Sequence, residues 1–459
     1  MKNIFFLKTS SLFVCIISVC VIFISCDDIV DVDPPNNQIN QKDVFKDIAT
    51  TKSALSMLYS KVRDTPLFSR GNPGLNHSLS LYTDQLEFIG TKPNMYYLNT
   101  LEASSHEITQ WWNNTYFDIY AINNFINGLN ESSYIKQADK TQLLAEAYTL
   151  RALYYQTLVQ LFGDIPYTVS TDYKYNTTIG KTSYQEVLLL IEKDLLLAYQ
   201  NLDYTSRSNQ RFYINKTVAE LLLSYNYLLQ KQYDKAELYS KAIIDNSNYS
   251  LEDDLNKVFK KDAKSTLWQL SPNLNTAVTQ EANLYQIKTI GVNTVAADNN
   301  LLKLFAANDL RYKNWLQKAT INNRELHQIF KYKNTANNTD EVSIFYRVEE
   351  AYFNLSLALA LQNKTDKATS ILNQIRQKRG LNSLNTSMDQ TSFIKEYLDE
   401  SSREFFTENG RRFFDLKLTN RLGDLNKNKP NWKDNHNLFP IPERQLQINK
   451  NLLPQNAGY

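Results

Sequence analysis

The sequence predicts a mostly α-helical protein, a scaffold of tetratricopeptide-like helical hairpins that carries long irregular loops and a few short strands. Three observations predict it. Apolar residues recur in steps of three and four over at least six segments, small residues sit at matching places in two of the helix pairs, and strand-like runs are short and few. With 42% hydrophobic residues, 29 tyrosines and only 11 glycines and 11 prolines, the chain has the material for a packed core.

The elements follow in order. Lys2 and Lys8 precede an apolar run from Leu12 to Ile24, Ser25 is the small residue before a cleavage point, and Cys26 is followed by Asp27 and Asp28. That pattern is a lipoprotein export signal, and the run falls short of the roughly 20 apolar residues a membrane span needs. Residues 1–25 are therefore expected to be a signal peptide, with Cys26 the lipidated first residue of the mature protein. Acyl chains contribute about 0.8 kcal/mol per buried methylene, so two or more on one cysteine anchor a protein stably. Residues 26–42 are expected to be a flexible lipidated tether, because Asp33-Pro34-Pro35-Asn36-Asn37 cannot continue a helix. Residues 43–459 are expected to form a single domain. Cys15 and Cys20 leave with the signal, so the mature chain retains one cysteine and can form no internal disulfide.

Helical periodicity then dominates. Ala145, Tyr148, Ala152, Tyr155, Val159 and Phe162 place one apolar stripe on a helix from Leu144 to Phe162, and Gly163 with Pro166 ends it. Similar stripes run from Thr217 to Leu229, Asp234 to Ile244, Val348 to Leu361, Asp366 to Arg376 and Ser392 to Phe406. Thr266 to Leu270 and Ile329 to Tyr332 read as short strands. In two hairpins the small places fall on Ser224 with Ala236 and on Ser356 with Ala368, far apart along the chain. A contiguous array would repeat with a period of about 34 residues, which this separation far exceeds. The hairpins must therefore be brought together by folding across long insertions.

Charge excludes one class of partner. Of 50 basic and 48 acidic residues the signal peptide removes only Lys2 and Lys8, leaving a near-neutral chain with no basic stripe for nucleic acid. Catalytic motifs are missing as well. His77, His106, His327 and His436 are scattered, and no H-E-x-x-H, G-x-S-x-G, P-loop or G-x-G-x-x-G occurs. The sequence therefore predicts no enzyme, no metal and no cofactor.

Several segments carry a resemblance. The run Glu146-Ala147-Tyr148-Thr149-Leu150-Arg151-Ala152-Leu153-Tyr154-Tyr155, continuing to Gly163-Asp164-Ile165-Pro166, is one. Trp112 with Tyr116, Ile119 and Asn123 is another, as are Ala368 with Leu372 to Arg376, and Glu400, Arg403 and Glu404 with Gly410-Arg411-Arg412 and Asp415. The tail adds Phe439-Pro440-Ile441-Pro442, Gln455-Asn456 and Gly458-Tyr459. In this order they resemble the SusD/RagB nutrient-binding outer-membrane lipoproteins. The resemblance implies a SusD-like fold without catalytic activity. It implies a lid, held on the outer membrane by its lipid anchor and exposed at the cell surface, over a SusC-like TonB-dependent transporter that receives oligosaccharides or, in some members, peptides. The alternatives are a peptide-binding RagB-like lid and a protein-interaction lipoprotein with no small ligand.

The motif residues themselves read as structural: Arg151 with Glu146 as an ion pair, the charged group around Gly410 as an ion-pair network, Trp112 as core. Candidate ligand residues are those that interrupt the scaffold pattern. Asn94, Tyr96 and Tyr97 lie in an uncapped stretch from Phe88 to Ser105, Trp111 flanks the next helix on the face opposite its stripe, and Asn283 and Tyr285 lie in the irregular segment from Ser271 to Asn299. Sugar recognition needs a flat apolar ring face beside amide or carboxylate partners, and both loops offer that mixture.

Overall fold

In the computed structural model, which describes residues 41–459, each predicted apolar stripe is a helix. The chain divides into Met1–Val44, of which Gln41–Val44 is one helical turn, and a unit from Phe45 to Tyr459. Cys26, the expected signal peptide and all but the end of the expected tether lie outside the described residues.

The N-terminal part of the second unit comprises α1 (Ile48–Asp64), α2 (Leu75–Tyr82), β1 (Leu86–Phe88), α3 (Met95–Leu98), α4 (His106–Glu131) and α5 (Gln137–Phe162). Next come α6 (Tyr184–Asn201), α7 (Lys216–Leu229), α8 (Tyr233–Asp245), β2 (Thr266–Gln269), α9 (Gln280–Tyr285) and β3 (Val295–Ala297). The chain closes with β4 (Leu316–Ile321), β5 (Arg324–Ile329), β6 (Ile344–Arg347), α10 (Glu349–Leu361), α11 (Thr365–Lys378), α12 (Gln390–Phe405), α13 (Arg411–Leu418) and α14 (Glu443–Ile448). Side-chain caps fix several starts: Asp47, Ser183, Asn215 and Asp389 each accept from a backbone amide of the first turn. At the end of α5, Gly163 takes φ +75°, a conformation that terminates the helix as the sequence predicts.

Stacking order follows the chain from α4 to α8, each helix packing on the next, and α8 then packs on α10. The two hairpins, so distant in sequence, are therefore neighbours. Their small positions, Ser224, Ala236, Ser356 and Ala368, are all fully buried, which lets the backbones approach. Asn354 Nδ2 donates to Ser224 Oγ at 2.9 Å and Lys364 pairs with Glu237 at 2.8 Å, tying one hairpin to the other. Helix α5 departs from its predicted single stripe. Between Leu143 and Phe162 it is buried on nearly every side, because α4, α6 and α7 surround it.

The strands form three two-stranded antiparallel ribbons, β1–β3, β2–β6 and β4–β5. The first predicted strand is β2. The second is misplaced in the sequence reading, since β5 stops at Ile329 and its partner β4 precedes it. Asn322 and Asn323, at φ 51° and 61°, make the two-residue hairpin turn between them.

A buried ion network holds the C-terminal helices. Glu400 meets Arg311, Arg376 and Arg403 at 2.6 to 2.7 Å, and Glu404 meets Arg311, Arg347 and Arg379 at 2.6 to 2.9 Å. Burial by itself raises the Glu400 carboxyl, but Arg311, Arg403 and Arg376 outweigh it and hold it at about 2. Arg411 bonds Asp415 and Glu350, while Arg412 pairs with Asp84. The expected Arg151–Glu146 pair does not form. Arg151 makes a bidentate contact with Asp194, 2.8 Å for each bond, and Glu146 receives Arg207 and the Tyr59 hydroxyl, because α6 and the 204–213 loop present nearer partners.

Candidate functional site

The two loop regions singled out in the sequence are joined by β1 and β3, with Leu86 opposite Ala297 and Phe88 opposite Val295. Beyond the ribbon the pairing continues: Ile89 N donates to Thr294 O and Thr91 N to Gly291 O. Gly90 permits the crossing. A Cβ there would lie 2.1 Å from the Val292 carbonyl oxygen, so no larger residue fits this approach. Ribbon β4–β5 packs its second strand against β3, which brings Arg324 to Glu87 as an ion pair.

At this junction the Phe88 and Tyr97 rings lie 6.3 Å apart at 36°, both half-buried. Lys429 holds Tyr97 from below: its ammonium is 4.3 Å from the ring centre and donates to the carbonyls of Leu81 and Tyr97. The Tyr97 hydroxyl is raised above the usual phenol range by burial and by the Asp298 and Glu87 carboxylates, with Arg324 opposing. Asp298 is itself raised, chiefly by burial, against a hydrogen bond from the Asn300 amide. The surface thus combines ring faces with two carboxylates, a guanidinium and a phenol. Beside it, a hollow of about 290 Å³ is lined by Asn283, Gln286, Lys288, Thr289, Asn293 and Thr335.

Three of the predicted ligand residues are not at this surface. Trp111 is completely buried, stacked between Tyr96 (5.7 Å, 27°) and Phe439 (5.8 Å, 7°), with its Nε1 donating to the Pro73 carbonyl. Tyr96 is 3% and Tyr285 2% exposed, and Tyr285 lines a small internal polar cavity with Arg70 and Glu281. These burials correct their assignment as ligand residues, since each ring is already covered by protein. Nor is the stretch from Phe88 to Ser105 uncapped. Asn94 Oδ1 accepts from Tyr97 N at 3.0 Å and starts α3, so its oxygen is committed to a cap. Tyr97 is half-buried and Asn283 exposed, and Asn94 Nδ2 has no hydrogen-bond partner among the described residues.

The sequence reading missed Glu87, Asp298, Arg324 and Lys429. A signal for Arg324 existed: an Asn-Asn pair flanked by short alternating runs marks a hairpin, and Arg324 follows that pair directly. For the other three no local pattern points to the site. Among the described residues no group of three or more His, Cys, Asp or Glu is placed to hold a metal ion, and no helix is long and apolar enough to cross a membrane.

A SusD-like family model described as starch-binding and associating with the outer membrane matches residues 30–228, and the SusD family model matches residues 303–429. The chain belongs to the SusD/RagB family. Among relatives of this SusD/RagB protein, SusD-like protein P2 of Formosa agariphila is 24% identical over 380 residues, 69% of this chain and 74% of its own. The starch-binding protein SusD of Bacteroides thetaiotaomicron is 33% identical over 126 residues, which are 25% of this chain and 21% of that relative. Solved structures agree on the fold. A SusD homolog from Bacteroides thetaiotaomicron superposes with a TM-score of 0.77 at 18% identity, covering 91% of this chain and 98% of the other. A laminarin binding SusD-like protein superposes at 0.75 and 18%, covering 90% and 99%.

Proposed function

We propose that this SusD/RagB chain is a non-catalytic cell-surface lipoprotein that captures oligosaccharides at the β1–β3 loop junction and delivers them to a SusC-like TonB-dependent transporter. The observation that carries the reading is the pair of accessible rings, Phe88 and Tyr97, beside Glu87, Arg324 and Asp298. An apolar ring receives the carbon face of a sugar, and the charged and phenolic groups receive its hydroxyls. Likeness to a starch-binding and a laminarin-binding protein supports the ligand class. Delivery and the outer-membrane anchor rest on the family resemblance and on the Cys26 signal.

The test is titration of the purified protein with starch- and laminarin-derived oligosaccharides and with mixed peptides, alongside Tyr97→Ala and Arg324→Ala. Saturable sugar binding that weakens at least tenfold in both variants is the expected result. A second reading, peptide capture, is favoured by the charges of Glu87 and Arg324, and peptide binding without sugar binding would establish it instead. Binding of neither class would overturn both.

A further inference from the structure

A second concave site lies away from the loop junction, between α4, the 166–179 connection and α14. Its volume is about 540 Å³, within the range of small-molecule sites. Trp112, Tyr116 and Tyr120 repeat every four residues on one face of α4, about 6 Å apart along the axis, and form a row along one wall. Trp112 is the buried end of the row, wedged 5.0 Å from both Tyr116 and Phe162. Tyr120 is 40% exposed, and Tyr173, from the opposite wall, is 72% exposed.

The walls are fixed by side-chain bonds to backbone. Tyr116 Oη donates to the Pro166 carbonyl at 2.9 Å, Asn123 Nδ2 to Thr168 O at 3.0 Å and Asn449 Nδ2 to Ile179 O at 2.8 Å. Gln445 Nε2 donates to Asn113 Oδ1 at 2.9 Å; Asn113 Nδ2 and Gln445 Oε1 have no hydrogen-bond partner among the described residues. In a chain where 21% of residues are charged, this groove has no Asp, Glu, Lys, Arg or His in its lining.

We propose that this groove is a second binding site for a neutral oligosaccharide, held lengthwise along the aromatic row. A charged ligand would enter an uncharged, largely apolar groove without a counter-charge, at a desolvation cost nothing there offsets. A purely apolar ligand would leave the amide fringe unpaired. A neutral sugar chain satisfies both, with ring faces against the Tyr116 and Tyr120 end of the row and hydroxyls toward Asn113 Nδ2, Gln445 Oε1 and the Tyr120 and Tyr173 hydroxyls. The groove's own lining carries this assignment, independently of the loop junction. Trp111 faces Tyr96 and Trp112 the groove, so the first turns of α4 contribute to the packing behind each.

The test uses neutral malto- and laminari-oligosaccharides of six or more units, with an uncharged hexapeptide as control. Binding is followed by calorimetric stoichiometry and by tryptophan fluorescence in wild type, Tyr120→Ala with Tyr173→Ala, and Tyr97→Ala with Arg324→Ala. Both groove positions are solvent-exposed, so an unchanged melting temperature verifies the fold. The expected result is that the groove pair weakens sugar binding at least tenfold at one site and abolishes its fluorescence change, while the loop pair leaves that site intact. Sugar binding unchanged in the groove pair would overturn the proposal, as would a groove that takes the hexapeptide and no sugar. Failure of the loop reading alone would show as a loop pair that binds like wild type while the groove pair still loses its site.

Discussion

At the scale of single residues, burial decides role more than residue type does. Tyr96, Tyr97, Tyr173 and Tyr285 are chemically identical, yet two are packed inside, one is half-buried over Lys429, and one stands in solvent. Charge follows the same logic. Glu400 is fully buried, and its three arginines hold it near 2 against an ordinary value of 4.5. A carboxyl depressed on folding contributes stability that is present above its unfolded value and is lost as pH falls through the folded one. The shift corresponds to about 3 kcal/mol. Chemical denaturation between pH 5 and pH 2 should therefore show stability falling steadily as pH drops. Glu400→Gln should unfold at clearly lower denaturant at pH 7, because Arg376 and Arg403 then lose the carboxylate they share and Arg311 keeps only Asp309 and Glu404, at a cost of about 3–5 kcal/mol. Glu281 runs the other way: burial, opposed by Arg70, pushes it up to about 7, so its contribution is fully present below the unfolded value and is lost as pH rises through 7.

At the scale of elements, the hairpins work because their close approaches are made by small residues, and the loop junction works because short strands stitch loops that are far apart in sequence. Gly410 shows how little room these approaches leave. It starts α13 at φ +62°, and a Cβ would fall 2.3 Å from Leu79 Cδ1 on α2. Gly410→Ala combines an unfavourable backbone with overpacking, so it should lower stability by about 1–3 kcal/mol, read as a lower denaturant midpoint with an unchanged slope. The aromatic repeat Trp112, Tyr116, Tyr120 makes the same point from the surface. One helix face serves packing at its start and an open groove further along.

At the scale of the whole molecule, the helical stack carries two separate concave surfaces, one charged and one neutral, and the proposed lid function asks for an anchor outside both. The anchor is predicted at Cys26. Cys26→Ala should move the protein from the membrane fraction to the soluble fraction while its sugar affinity in solution stays the same, and retention on membranes would refute the anchor.

The sequence by itself determined six of the helices, the stop of α5 at Gly163 and the small positions at which two hairpins touch. It could do so because a helical period, a cap or a Gly-Asp-Ile-Pro turn is a local property, written within a few residues of where it acts. It also carried the family resemblance, which depends on local runs in a fixed order. Only the tertiary structure decided which loop residues face outward. Trp111 is covered because Phe439, from the far end of the chain, stacks on it, and Arg324 enters the site because β5 packs on β3. No local pattern encodes such meetings; they are set by how the elements between them pack, and burial is a property of that packing rather than of the residue.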